Sequence, residues 1–336
     1  MRHLKYLLAF VLPALALSGF IWGNIFSFFT LLFAFGLIPF FEWKWSPVHS
    51  NVQAEGLKNK IWFKLLLYLT LPVQLILLAY YFPAQLTPNV NAFTWIGNVS
   101  AMGVMCGVFG INVAHELGHS PKLFDRFVAR MLLGTSLYMH FYVEHNKGHH
   151  KWIGTLQDPA TARKNESVYA FWLRVIPGSF ISAWKISKNE CMRKNRSFLF
   201  NETLIYMLFQ VGICVAIFIW NPISLLSFLL ASLLGAMLLE TVNYIEHYGL
   251  TRNKVSEHRY EQVAPEHSWN SDHVLGRAVL FELSRHSDHH ANPERPYQDL
   301  RSLQASKQLP YGYPAMMVLA LFPGKWFQLM NPLLND

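Results

Sequence analysis

The stretch NPISLLSFLLASLLGAMLLETVNYIEHYGL, residues 221–250, carries the decision about the fold. Asn-Pro at 221–222 reads as a turn, and residues 223–245 then run apolar with a single acidic residue, Glu240. A helix crossing a bilayer needs about 17–25 such residues, so this run is long enough to span. It ends on Glu246 and His247, where the chain leaves the apolar phase. A membrane helix that delivers a histidine to its polar end is the theme that the rest of the chain repeats.

Five further runs have the same character, at residues 4–22, 24–41, 61–82, 92–114 and 203–220. Six transmembrane helices are therefore expected in an all-α fold. The composition agrees: 52% of the 336 residues are hydrophobic and only 14% charged, against about 25% charged in soluble domains. The first run also has the basic start and small-residue end of a secretory signal. A second span follows it almost without a linker, which favours an anchor that stays attached. Gly23-Asn24 and Asn221-Pro222 make tight hairpins of spans one–two and five–six, and no internal repeat breaks the chain. One membrane-embedded domain over residues 1–336 is expected.

Six spans place residues 1–3, 42–60, 115–202 and 246–336 on one face, with only residues 23, 83–91 and 221–222 on the other. Every loop Lys and Arg lies on the first face. By the positive-inside tendency that face is cytoplasmic, with both termini. The net charge of +8 then reflects topology. No basic stripe interleaved with aromatics occurs in a soluble module, so nucleic-acid binding is not expected. Residues 127–143 and 168–184 are apolar enough for interfacial helices. The proline-interrupted YGYPAMMVLALFPGKWF near the end is too short to count as a span. A helical cytoplasmic cap on the spans results. Cys106, Cys191 and Cys214 stand far apart, which excludes a thiolate zinc site or an iron–sulfur module on this chain.

Three windows, HELGH at 115–119, HNKGHH at 145–150 and HSDHH at 286–290, hold eight of the fifteen histidines. Chance at the chain's own frequency puts about one there. On a helix, residues three or four apart share a face, so His115 with His119, or His145 with His149, can aim two rings at one ion. His150, His289 and His290 add neighbouring nitrogens, and His286 and His247 complete a set of nine. Imidazoles without thiolates suit iron, zinc, copper or nickel. Zinc prefers four ligands, so two irons fit nine nitrogens best. Glu116, Glu144, Glu246 and Asp288, beside those histidines, are expected to accept imidazole N–H bonds and fix the rings. His-Glu-x-x-His at 115–119 also matches a zinc-peptidase pattern, which leaves the remaining clusters without a use.

These clusters on a six-span chain resemble the integral-membrane desaturase and hydroxylase superfamily. Within it, HELGHS (115–120), EHNKGHH (144–150), DPATAR (158–163), NYIEHYGL (243–250), RHSDHHANPERPYQDL (285–300) and LPYGYP (309–314) resemble the bacterial membrane alkane hydroxylases, in the same order. The resemblance implies that His115, His119, His145, His149, His150, His247, His286, His289 and His290 bind two non-haem Fe ions. It implies hydroxylation of the terminal methyl of medium- to long-chain n-alkanes with O2, the alkane entering from the bilayer. Electrons would come from rubredoxin and rubredoxin reductase, and the location would be the bacterial cytoplasmic membrane. Related alternatives are a fatty-acyl desaturase or an aryl-methyl hydroxylase, and a transporter without turnover is the alternative of another class. In SWNSDH, Asp272 and His273 are further candidates to support the ligands. His3, His49, His140, His258 and His267 are expected to be solvated or capping. Ala34, two residues before the Gly-x-x-Pro at 36–39, is the candidate gate at the far end of the substrate channel.

Overall fold

The computed structural model of the protein describes residues 2–51, 60–88, 90–257 and 259–334. Six helices in it are long and apolar enough to cross a membrane: α1 (His3–Trp22), α2 (Asn24–Lys44), α3 (Ile61–Ala84), α4 (Ala92–Gly118), α8 (Glu202–Trp220) and α9 (Pro222–His247). Their ends lie within a few residues of those expected from hydropathy. Between α4 and α8 lie α5 (Leu123–Gly134), α6 (from Phe141 to Trp152) and α7 (Val168–Arg193). After α9 come α10 (Val274–Val279), α11 (His286–Ala291), α12 (Tyr313–Ala320) and α13 (Pro323–Leu333). The fold is mostly helical, with two short strand pairs: antiparallel β1 (Lys254–Ser256) with β2 (Arg259–Tyr260), and parallel β3 (Trp269–Asn270) with β4 (Lys307–Gln308).

The turn residues do what their chemistry dictates. Gly23 takes a φ of 65°, where a Cβ would be strained, and Asn24 follows at 49°; together they reverse the chain between α1 and α2. The Asn221 carboxamide oxygen accepts from the backbone N–H of Ile223 and Ser224, and Pro222 occupies the first helical position of α9, where its missing N–H costs nothing. Asn91 and Asn201 cap α4 and α8 in the same way.

Apolar side chains such as Leu208, Val215 and Ile219 stand exposed along α8, a pattern that hydrocarbon tolerates and water does not. By contrast, 78% of the apolar window of α4 is buried, against 11% for α8. The central span is therefore α4. It meets α9 through small residues: a Cβ on Gly235 would lie 2.5 Å from the Cys106 Cβ, and one on Gly103 would meet Leu234 at 2.6 Å. Such close approach, by which membrane helices pack without a hydrophobic driving force, runs their ends out side by side. His115 and His247 stand at those ends.

Two departures from the sequence expectation matter. The apolar run 127–143 does not form one helix. It stops at Gly134, turns through Leu137 with φ of 51°, and restarts as α6. Among the described residues, three helical stretches also contain π turns, at Phe33–Leu37, Cys106–Asn112 and His145–His149. Each widens the helix by one residue per turn and shifts which side chains share a face.

The C-terminal segment is pinned across the spans. The Trp269 indole N–H donates to the Tyr248 carbonyl oxygen at 3.0 Å, and pairing of β3 with β4 closes residues 269–308 into a loop that carries α10 and α11. Inside it, the buried Glu282 carboxylate receives Lys5, the Tyr6 hydroxyl at 2.8 Å and Arg277 Nε at 2.6 Å. Phe281 and Glu282 both hold positive φ, a strained geometry for residues with a Cβ that this ion network fixes.

Candidate metal centre

Nine histidines converge at the end of α4 and α9, in two groups. His115, His119, His145, His150 and His289 form one; His149, His247, His286 and His290 form the other. Within each group one nitrogen per residue lies within 4.8 Å of all the others, the span that one ion can bridge. The groups adjoin: the rings of His150 and His290 are 4.4 Å apart, and those of His149 and His290 are 5.0 Å apart.

Helical geometry decides the division. His115 and His119, four apart at the end of α4, share a group, as do His286 and His290 on α11, as α-helical spacing requires. In α6 the π turn at His145–His149 changes the register. Residues five apart now share a face, so His145 and His150 belong together and His149 turns to the other group. The expectation that His145 and His149 would aim at one ion is corrected accordingly. Adjacent residues on a helix point about 100° apart, so His149-His150 and His289-His290 are each split between the groups. α6 and α11 thereby serve both.

The arrangement suits ions better than hydrogen bonds. The closest Nε2–Nε2 separations are 2.8 Å for His115–His289, 3.1 Å for His119–His145, 3.0 Å for His145–His150, 3.2 Å for His247–His286 and 2.8 Å for His286–His290. Two imidazoles bound at right angles to one ion would lie roughly 2.9 Å apart at ordinary metal–nitrogen lengths. A neutral imidazole has one N–H, so this many inward-facing nitrogens cannot all be satisfied by one another. His149 Nε2 is buried and has no partner among the described residues. Burial, reinforced by neighbouring rings, holds His145, His150, His286, His289 and His290 well below the usual imidazole pKa and takes His119 to about 3. The neutral form thus favoured is the one that binds metal.

The carboxylates take varied roles. Glu246 Oε2 lies 3.1 Å from His286 Nε2, and neither Glu246 oxygen accepts a hydrogen bond among the described residues. Glu116 instead accepts the backbone N–H of Tyr297 at 3.0 Å. Asp288 is gripped by Arg295 at 2.9 Å and by Arg301 through its backbone and guanidinium, so it shapes the turn after α11. Glu144 meets Ser182 at 3.4 Å. Asp272 binds His49 at 2.9 Å and Arg285 at 3.1 Å, and His273 pairs with Ser271 at 2.9 Å; neither touches a ring of the two groups.

A residue that the sequence reading passed over does touch one. Asp158 accepts from His149 Nδ1 at 2.9 Å and is itself held by Thr161 Oγ1 at 2.6 Å and the Ala160 N–H at 2.9 Å. Burial alone would raise its pKa; His149 and these donors more than offset that, and the carboxyl sits below its usual value. Its signal was the DPATAR stretch, just after the second histidine cluster. Of the other histidines, His267 caps the Ala264 N–H at 2.9 Å and His49 is largely exposed. His3 stacks on Trp62. His140 is buried, against the expectation of a solvated ring, and burial lowers its pKa to about 4. His258 lies outside the described residues.

Two openings approach the centre. An apolar pocket runs between the spans, with Ala34, Leu12 and Val104 along it and Asn112, Val242 and Leu283 at the histidine end. Asn112 is its one polar lining residue, and its carboxamide N–H donates to the Leu280 carbonyl oxygen at 3.1 Å. Two π turns, in α2 and α4, both contribute to its wall. A second cleft, of mixed apolar and charged lining, reaches His119 and Glu116 beside Lys64 and Lys122.

A family model described as fatty acid desaturase matches residues 89–320. Alkane 1-monooxygenase 1 of Alcanivorax borkumensis is 38% identical, covering 97% of this chain and 83% of that protein. Alkane 1-monooxygenase of Ectopseudomonas oleovorans is 38% identical, over 94% of this chain and 80% of its own length. The hydroxylase component XylM of the xylene/toluene monooxygenase of Pseudomonas putida is more distant, at 25% identity over 71% of this chain. With nine histidines, seven of them buried, in two ion-sized groups at the end of the spans, the chain belongs to the alkane 1-monooxygenases, a family of monooxygenase enzymes within the membrane fatty acid desaturase and hydroxylase superfamily.

Proposed function

We propose that this protein hydroxylates the terminal methyl of medium- to long-chain n-alkanes to 1-alkanols, with the whole chain acting as one hydroxylase domain. The observation that carries the reading is two groups of imidazoles that follow closely in sequence on Asn112, Val242 and Leu283, which line an all but apolar pocket. An alkane offers no polar handle, so a pocket lined by aliphatic and aromatic side chains can recognise it only by shape. Each methylene then contributes about 1–3 kcal/mol of discrimination.

His115, His119, His145, His150 and His289 would hold one iron, and His149, His247, His286 and His290 the other. Bound there, iron supplies the activation of dioxygen that oxidises an unactivated C–H bond. The chain's own part is positioning and exclusion. Asp158 holds the His149 ring by its Nδ1–H, so that Nε2 faces inward, a contact that fixes both tautomer and orientation. The walls of the pocket bring the chain end-on from the bilayer and keep water from the reacting carbon.

Dioxygen chemistry of this kind consumes two electrons per turnover, and this sequence has no nucleotide-binding glycine fingerprint and only three separated thiols. Rubredoxin, reduced by rubredoxin reductase, is the proposed donor. It would dock on the face that carries the histidines and the loop Lys and Arg residues, which by the positive-inside tendency faces the bacterial cytoplasm from the inner membrane. The test is reconstitution of the iron-loaded protein with rubredoxin, its reductase and NADH, and chromatography of products from a ladder of alkanes. Terminal 1-alkanols should form only with the complete donor chain. Desaturated products, or equal turnover with NADH alone, would overturn the reading.

A further inference from the structure

The seam between α2 and α12 separates two largely apolar spaces, of which the outer one has a polar end. Ile38 and Pro314 line the apolar pocket on its inner side; their neighbours in sequence, Pro39 and Ala315, line a groove on its outer side. The groove encloses about 530 Å³, within the range of small-molecule sites. Its long wall is apolar, from Phe40, Trp43, Leu319 and Phe322, while Glu42, His273 and Tyr311 make one end polar. Trp43 and Phe322 are well exposed, and Lys44 and Lys325 mark this as the level where the spans meet the polar phase, a level that suits amphiphiles.

Glu42 is the informative residue. It is 3% exposed, and its Oε1 accepts the Gly276 N–H at 2.7 Å, yet Oε2 receives no hydrogen bond among the described residues. A buried acceptor left without a donor is costly. Gly312 is packed against this oxygen, which occupies the place a side chain would need: a Cβ there would lie 1.9 Å from Oε2. A ligand that supplies one hydroxyl donor and one apolar tail matches both the vacant acceptor and the wall.

We propose that this groove is an exit site for the primary alcohol, its hydroxyl donating to Glu42 Oε2 and its chain lying along Phe40, Trp43 and Phe322. This rests on the hydroxylase reading above, because substrate and product of that reaction differ by one hydroxyl group. The inner pocket offers that group almost nothing, whereas the outer groove offers an acceptor. Product would thereby be drawn out of the site that the next alkane must occupy.

The experiment reads binding without turnover. The protein in lipid nanodiscs is titrated with an ω-bromo primary alcohol and with the matching bromoalkane, each expressed per molecule dissolved in the bilayer. Quenching of Trp43 is isolated by difference against Trp43→Phe. The alcohol should half-quench Trp43 at a concentration at least ten-fold below that of the bromoalkane. Ala315→Phe, which fills the groove, should abolish this preference at unchanged iron content. Glu42→Gln, which keeps an acceptor for Gly276, should weaken it several-fold. Equal quenching by the two probes, or a preference that survives both substitutions, overturns the exit site. Selective quenching in a protein that makes no alkanol would instead overturn the hydroxylase reading and leave an amphiphile site.

Discussion

His145 and His150 stand five residues apart and bring their Nε2 atoms to 3.0 Å, while His149 between them faces the other way, to Asp158. The π turn over His145–His149 makes this pairing. It assigns each histidine of the cluster to one of two ion-sized groups, and metal content can test that assignment residue by residue.

His149→Ala should lose the ion of the four-histidine group, and His289→Ala that of the five-histidine group. Each variant should fall to about half the iron of the parent, with hydroxylation abolished and membrane insertion intact. Plasma mass spectrometry of purified protein reads the ratio. Full iron and full activity in either variant would contradict the assignment.

Asp158 acts on the metal through His149. Asp158→Asn should lower the affinity of the four-histidine group about 10–100-fold, as loss of an outer partner to a ligating histidine does. Competition with a graded series of chelators should release one ion early and the other at the parent's concentration. Simultaneous release of both, unchanged from the parent, would remove Asp158 from the account.

Ala34 lines the apolar pocket on the π turn of α2 and is buried. A tryptophan there should shorten the usable channel. Activity of Ala34→Trp on hexadecane should drop far more than on octane, at unchanged iron content. A uniform loss along an alkane ladder would mark Ala34 as a packing residue.

The Glu282 network should carry stability. Burial alone would raise this carboxyl, but Arg277 and Lys5 more than offset it, and its pKa lies below the ordinary value. A carboxyl lowered on folding contributes above its unfolded pKa and loses that contribution as pH falls through the folded one. Glu282→Gln should therefore cost about 3–5 kcal/mol near neutral pH, the cost of leaving buried partners unpaired. The difference from the parent should shrink on acidification. Thermal unfolding in detergent measures it; an unchanged midpoint at neutral pH would refute the role.

The spans were legible because hydrocarbon imposes one length and one composition; eight of the nine histidines were legible because α-helical spacing brought them out in clusters, and His247 because it stands at the end of the last span. The pairing of His145 with His150 was not legible, since a π turn alters one hydrogen-bond register and leaves no mark on spacing. Asp158 was not legible because it is not adjacent in sequence to a histidine: the partner of His149 comes from the next loop. Glu282 joins Lys5 and Tyr6 from the opposite end of the chain, a relation that only packing creates. The break at Gly134 in the apolar run 127–143 reflects a turn that hydrophobicity does not encode.

A centre that hydroxylates a terminal methyl inserts one oxygen atom from O2 into its C–H bond. The most direct measurement supplies heavy-isotope dioxygen and dodecane to the iron-loaded protein with reduced rubredoxin, and analyses products by mass spectrometry. One labelled oxygen is expected in 1-dodecanol and none at internal carbons, with no product when His149 or His289 is replaced by alanine. Unlabelled alcohol, label at internal positions, or labelled product from either variant would contradict it.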